Sequence, residues 1–162
     1  MADEFGAMPR HGFARMVPEL HVNELERSLA FWRDVVGFAV AYRRPAEGFV
    51  YLERPEGAQV MLCQRHGRYE TGPMERPLGQ GAMFQVYVDD LAAVLTAISA
   101  TGWPVYQGPR EVWRRTGTQE SGMREVFVQD PDGYLLMVAQ NIGRRPIVPP
   151  AAEDGTRGGT VG

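Results

Sequence analysis

The sequence predicts an α+β protein made of two βαβββ modules whose mixed sheets curve into cups. Three observations predict it. Residues 16–38 read as strand, helix, strand; the same unit returns about sixty-six residues later; and sharp turn signals set off further strands after each copy. Two copies are too few for a solenoid, so the modules are expected to close on each other.

In the first unit, residues 17–22 alternate with the period of a half-buried strand. Asn23 stands at a helix N-cap with Glu26 three residues on, the spacing of a capping box. Leu25, Leu29, Trp32 and Val36 then share one helical stripe, and Gly37 takes the left-handed position that ends a helix. Strands follow at 38–42, 49–53 and 58–64, the last two joined through Pro55-Glu56-Gly57. In the second unit, 84–88 is the strand, Asp89 or Asp90 the cap, Leu91, Val94, Leu95 and Ile98 the stripe, and Gly102 the stop. Val105-Tyr106, 111–115, 123–129 and 134–140 complete it, with Asp130-Pro131-Asp132-Gly133 as a tight turn before the last strand. The expected organisation is a flexible N-terminal arm (1–15), one domain (16–142) and a disordered tail (143–162). Within the domain, module 1 is 16–64, a linker is 65–81 and module 2 is 82–142. A linker this long is either mobile or part of a site.

Composition narrows the function. The 162 residues carry 44% hydrophobic and 23% charged side chains and a net charge of −3, with no basic block, which argues against nucleic acid. Every one of the seventeen basic residues is arginine. The single Cys63 excludes an intrachain disulfide, fits a reducing cytoplasm, and reads as a buried thiol inside an apolar run. No apolar run approaches the ~20 residues of a membrane span, and the N-terminus lacks the order of a signal peptide.

Each module must hide its helix stripe against one face of its own sheet. Period-2 geometry puts Leu20, Val22, Phe84, Val86 and Val88 on that face. It puts Val17, Glu19, His21, Met83, Gln85 and Tyr87 on the cup face, joined by Val60, Leu62 and Gln64 and by Leu135, Met137 and Ala139 from the closing strands. An apolar cup holding a few polar groups is the composition of a small-molecule site.

The paired modules, the helix ending Phe31-Trp32-Arg33-Asp34-Val35-Val36-Gly37-Phe38, and Arg124-Glu125 ahead of Asp130-Pro131-Asp132-Gly133 resemble the vicinal oxygen chelate superfamily of glyoxalases, extradiol dioxygenases and bleomycin-resistance proteins. The resemblance spans roughly residues 16–141. It implies metal-ligand positions at Val17, Leu62, Met83 and Met137, and none of these side chains suits a hard or borderline divalent ion. A register slip brings in Glu19 or His21 and Gln85, too few ligands for a catalytic zinc. The expectation is therefore no metal and no cofactor. The resemblance then points to the metal-free, bleomycin-resistance-type branch: a homodimer that sequesters a hydrophobic or aromatic small molecule, without nucleic acid or membrane. The expected ligand-binding residues are Glu19, His21, Tyr42, Tyr51, Leu62, Gln85, Tyr87, Trp113, Arg124 and Met137. A Trp of the drug-binding proteins has no counterpart, since Ser121-Gly122-Met123 stands in its place; Trp113 is the substitute ring. The alternative is an enzyme on the same fold using His21 or Glu19 as base or ligand.

Overall fold

The computed structural model describes residues 5–147. Two four-stranded mixed sheets form, one per module, with the strand orders β1-β4-β3-β2 and β5-β8-β7-β6. In module 1, β1 (Glu19–Val22) leads into helix α1 (Leu25–Ala30), which continues as a π turn at Phe31–Val35. Strands β2 (Ala39–Arg44), β3 (Phe49–Glu53) and β4 (Gln59–Gln64) follow. In module 2 the sequence is β5 (Met83–Tyr87), α2 (Leu91–Thr101), β6 (Val105–Thr116), β7 (Gln119–Gln129) and β8 (Leu135–Pro146). In each sheet the first strand pairs in parallel with the last, and the remaining pairs are antiparallel.

The helix stripes do what their spacing requires. Leu29, Trp32 and Val36 are buried with Leu20 and Val22 beneath them, and Leu91, Val94 and Ile98 are buried over Val86 and Val88. All belong to one core shared by both modules. Phe31 and Trp103 meet across the module boundary with ring centroids 4.8 Å apart, and the Trp103 indole donates to the Gln129 carbonyl. Trp103 is partly buried and packs against this core.

Helix starts differ between the copies. Asp90 caps α2 by accepting from the Ala92 and Ala93 amides. Asn23 does not cap α1, so the capping box is not formed; its side chain donates to Asp132 at 2.6 Å. The first free helix amide is satisfied from β4: Gln64 Oε1 accepts from Leu25 N at 2.7 Å, and Gln140 on β8 accepts from Leu91 N at 3.1 Å.

One expected boundary moves. β8 runs to Pro146, past residue 142, because Arg145 and Pro146 still pair with Glu120 and Gln119. The rest of the expected tail, 148–162, and residues 1–4 lie outside the described residues. The arm is docked, in contrast to the loose segment expected. Gly6 bridges to Tyr42, Arg10 N donates to Glu53, and Gln59 both accepts from Ala14 N and donates to Gly12 O.

Candidate functional site

Strand register decides which side chains face the cup. On β4, Met61 lies beside Glu19 and Cys63 beside His21, so these two share the cup face. Leu62 pairs with Leu20 and is completely buried in the helix-side core, as is Val60. The cup assignment of Leu62 is thus corrected by one residue, and the first-module closing-strand position is Met61. On β8 the expected face is right: Leu135, Met137 and Ala139 pair with Met83, Gln85 and Tyr87 and pack with Phe127.

The first cup is lined by aromatics. Tyr42 and Tyr51 stack at 5.0 Å, Phe49 lies 5.9 Å from Tyr42, and the Tyr51 hydroxyl donates to Gln59 Oε1. Phe13 of the arm covers this pair edge-on, 5.6 Å from Tyr51 and 6.5 Å from Tyr42. Burial pushes the Tyr51 hydroxyl above its ordinary pKa, with the neighbouring Tyr42 and Glu53 adding to the shift. The two tyrosines stand on the predicted face, but the protein's own arm sits on them.

The open part of this cup lies at its other end. Glu19 and His21 project there, His21 Nε2 lying 3.1 Å from Glu19 Oε1, with His21 only 7% exposed. The linker closes over them. Tyr69 lies 6.0 Å from the His21 ring and adopts φ 61, a left-handed backbone that non-glycine residues rarely take. Glu19, His21, Tyr69, Met74, Gly79 and Tyr134 line a cavity of about 550 Å³, and a second of about 450 Å³ adjoins it through Glu19 and Tyr69. Arg65 holds the linker by a double contact to Glu70, whose hydrogen bonds depress the Glu70 pKa. The linker, expected to be either mobile or part of a site, contributes Tyr69, Met74 and Gly79 to the lining of this cavity.

The second cup is barer. Met83 and Tyr87 are 46% and 51% exposed, and Gln85 is exposed beside them. At its far side Glu125 is fully buried and held by Arg114 through both carboxylate oxygens and by Arg110. The Arg114 hydrogen bonds, joined by those of Arg110 and opposed by burial, keep the Glu125 carboxyl below its usual range. Arg124 is corrected: it pairs with Gln140, on the helix side, and is exposed. Trp113 is corrected too. It pairs with Gly122, on the opposite face from Arg110 and Arg114. Its ring packs so closely on Gly122 that an added Cβ would come within 2.7 Å, and Arg145 stacks over it at 4.3 Å.

The predicted residues are therefore not all brought together in one chain. Glu19, His21, Tyr42 and Tyr51 share the first cup; Gln85, Tyr87 and Met137 share the second; Leu62, Trp113 and Arg124 belong to neither. Sequence reasoning missed Phe13, Tyr69 and the Arg110–Glu125–Arg114 group. Only the last left a signal, a lone acid two residues past Met123 facing two arginines spaced four apart.

Paired βαβββ modules with concave, half-apolar faces define a two-module α+β class of protein. Residues 13–138 match the family described as Glyoxalase/Bleomycin resistance protein/Dioxygenase superfamily, and the chain belongs to it. A protein of Vibrio parahaemolyticus named "Probable lactoylglutathione lyase" is 28% identical over 131 residues, covering 75% of this chain and 86% of that one. The "Lactoylglutathione lyase" of Haemophilus influenzae is 28% identical over 132 residues, covering 75% and 88%. Among solved structures, TioX from Micromonospora superposes with TM-score 0.58 at 23% identity over 80% of this chain and all 100% of its own. A bleomycin resistance determinant encoded on the transposon Tn5 gives 0.54 at 23% identity, over 81% and 100%. At that identity these two show the shared fold.

Metal chemistry of the glyoxalase or dioxygenase kind needs hard or borderline ligands at the positions the resemblance implies. Those positions hold Val17, Met61, Met83 and Met137, a hydrocarbon and three thioethers, which do not fit such an ion. No described helix is long and apolar enough to cross a membrane.

Proposed function

We propose that this protein binds and sequesters a hydrophobic or aromatic small molecule, antibiotic or metabolite, in the manner of the bleomycin-resistance type. The observation that carries the reading is the replacement of the ligand positions by Val17, Met61, Met83 and Met137, side chains that build an apolar wall in place of an ion site. Sequestration requires no acid, base or nucleophile; it requires apolar and aromatic area with a few fixed polar groups. The working unit is a cytoplasmic homodimer in which the first cup of one chain faces the second cup of its partner. The exposure of Met83, Gln85 and Tyr87 on the concave face of the second sheet supports that pairing. The binding residues are Glu19, His21 and Tyr69 from one chain and Gln85, Tyr87 and Met137 from the other.

A second reading has its own support. The relatives at 28% identity are named lactoylglutathione lyases, and the Glu19–His21 contact at 3.1 Å borders a cavity as a base and its orienting carboxylate would. One experiment separates the two. The protein is screened by thermal shift and calorimetry against bleomycin-type glycopeptides and aromatic metabolites, and assayed for turnover of the methylglyoxal–glutathione hemithioacetal with Ni²⁺ or Zn²⁺ added. Saturable stabilisation without turnover supports sequestration. Turnover that His21→Ala abolishes replaces it with the enzyme.

A further inference from the structure

We propose that His21, Cys63 and His66 form a mononuclear site for a Zn²⁺-class ion at the mouth of the first cup. The site is distinct from the ligand positions shared across the family and independent of which small molecule the cups take. The parallel pairing of β1 and β4 sets His21 and Cys63 side by side on one face. His66, just beyond the end of β4, brings its ring to 5.5 Å from that of His21. One ligand atom from each of the three lies within 4.8 Å of the others. Zn–N and Zn–S bonds of about 2.0–2.3 Å in a tetrahedron separate their ligands by roughly 3.3–3.7 Å, so a contraction of about 1 Å completes the geometry. His66 supplies it, being exposed and outside any strand, whereas His21 and Cys63 are fixed on adjacent strands. His66 Nδ1 accepts from Arg68 N at 3.1 Å, a contact of the ion-free loop that this movement would alter.

One thiolate and two imidazoles select Zn²⁺, Co²⁺, Ni²⁺ or copper over Mg²⁺ and Ca²⁺. Burial, with the charge of Glu19 adding to it, pushes the Cys63 thiol above its ordinary pKa, so the ion-free chain carries S–H. Binding breaks that bond: the sulfur keeps the electron pair and donates it to the ion, and the proton leaves to solvent. Glu19, hydrogen-bonded to His21, has the place of the carboxylate that orients a ligating imidazole. Three protein ligands leave a fourth position open to the cavity bounded by Glu19, Arg68 and Tyr69. The positions the resemblance implies are other residues: Val17 precedes β1, and Met61 pairs with Glu19, so neither belongs to the His21–Cys63–His66 set.

Co²⁺ is the probe, added to the full-length reduced protein, with uptake measured by equilibrium dialysis and absorbance. The expected result is one equivalent of Co²⁺, displaceable by Zn²⁺, with a thiolate-to-cobalt charge-transfer band. Cys63→Ser removes the band. His66→Ala, a change at an exposed residue that leaves folding intact, weakens binding at least as much as the roughly 10–100-fold cost of an outer-shell change, the loss expected for Glu19→Gln. His11→Ala changes nothing. Absence of stoichiometric uptake, or uptake that survives both Cys63→Ser and His66→Ala unaltered, overturns the site.

Discussion

The two modules repeat the same skeleton but use it differently. Their hairpin turns superimpose bond for bond: Arg54 N donates to Ala58 O and Gly57 N to Arg54 O in one, Asp130 N to Tyr134 O and Gly133 N to Asp130 O in the other. Gly57 and Gly133 both take φ near the left-handed region, at +96° and +100°, as that turn demands. Gln64 and Gln140 close the two helix starts in the same way. The cups are where they diverge. Module 1 covers its face with the arm and the linker and keeps its titratable side chains there, whereas module 2 leaves Met83 and Tyr87 bare and spends its charge on Arg110, Glu125 and Arg114. A duplicated scaffold keeps its turns and the glutamine contact to each helix start, lets the cap residue vary, and constrains its concave face hardly at all.

The largest test of that contrast removes the module 2 charge group. Arg110→Ala with Arg114→Ala leaves a fully buried, unpartnered Glu125 and is expected to cost about 3–5 kcal/mol in urea unfolding at pH 7. The Glu125 pKa is depressed in the folded protein, so its contribution is present above the unfolded pKa and fades as pH falls through the folded one. The gap between variant and parent should therefore narrow on acidification; a gap independent of pH would break the charge explanation.

Next come the reciprocal contacts between modules. Asp132 accepts from Asn23 N and Nδ2 and from Arg76, whereas its counterpart Glu56 accepts from Asp89 N and from Arg54. Asp132→Ala is expected to lose about 2–3 kcal/mol and Glu56→Ala about 1 kcal/mol, since hydrogen bonds to charged groups contribute ~1.5–3 kcal/mol and the Glu56 side chain, 15% exposed against 4% for Asp132, is the less buried of the two. Equal losses in a denaturant titration would show that the two turns carry the same load.

Arg54 and Asp130 occupy one turn position with opposite charges. Burial raises the Asp130 pKa to about 6, against the opposing backbone N–H bonds from Tyr134 and Asp132. A raised carboxyl contributes stability below its unfolded pKa and loses it as pH rises through the folded value. Between about pH 4 and 6 the parent should lose roughly 1–3 kcal/mol relative to Asp130→Asn, at about 1.4 kcal/mol per pKa unit. Parallel stability–pH curves would contradict this.

The smallest effect is at the arm. Phe13 is 55% exposed, so Phe13→Ala should cost only about 1 kcal/mol while uncovering Tyr42 and Tyr51 to chemical nitration. Unchanged reactivity would mean the arm does not shield the first cup.

The architecture was legible because the repeat writes both helix stripes and both turns in plain periodicity. The site was half legible. In β4 the run Val60-Met61-Leu62-Cys63 is apolar on both faces, so alternation could not say which residue looks inward, and Leu62 was taken for Met61. In β6 the sequence offers Trp113 as a substitute ring without a face assignment; its pairing with Gly122 puts it on the face of Val105 and Val128, away from the cup. Gln64, assigned to the cup, reaches the α1 start because Val22 is its partner. The arm has no periodicity at all; it docks by backbone and through Gln59, contacts that no pattern announces.

The contacts between the modules are reciprocal. The turn of each module sits at the strand-to-helix junction of the other, Asp132 against Asn23 and Glu56 against Asp89. A mutual exchange of that form is what a two-fold axis imposes when two identical chains meet: patch i grips j while j grips i. The two modules of this single polypeptide therefore meet as two subunits related by a two-fold axis would, and residues 65–81 are the stretch that joins them.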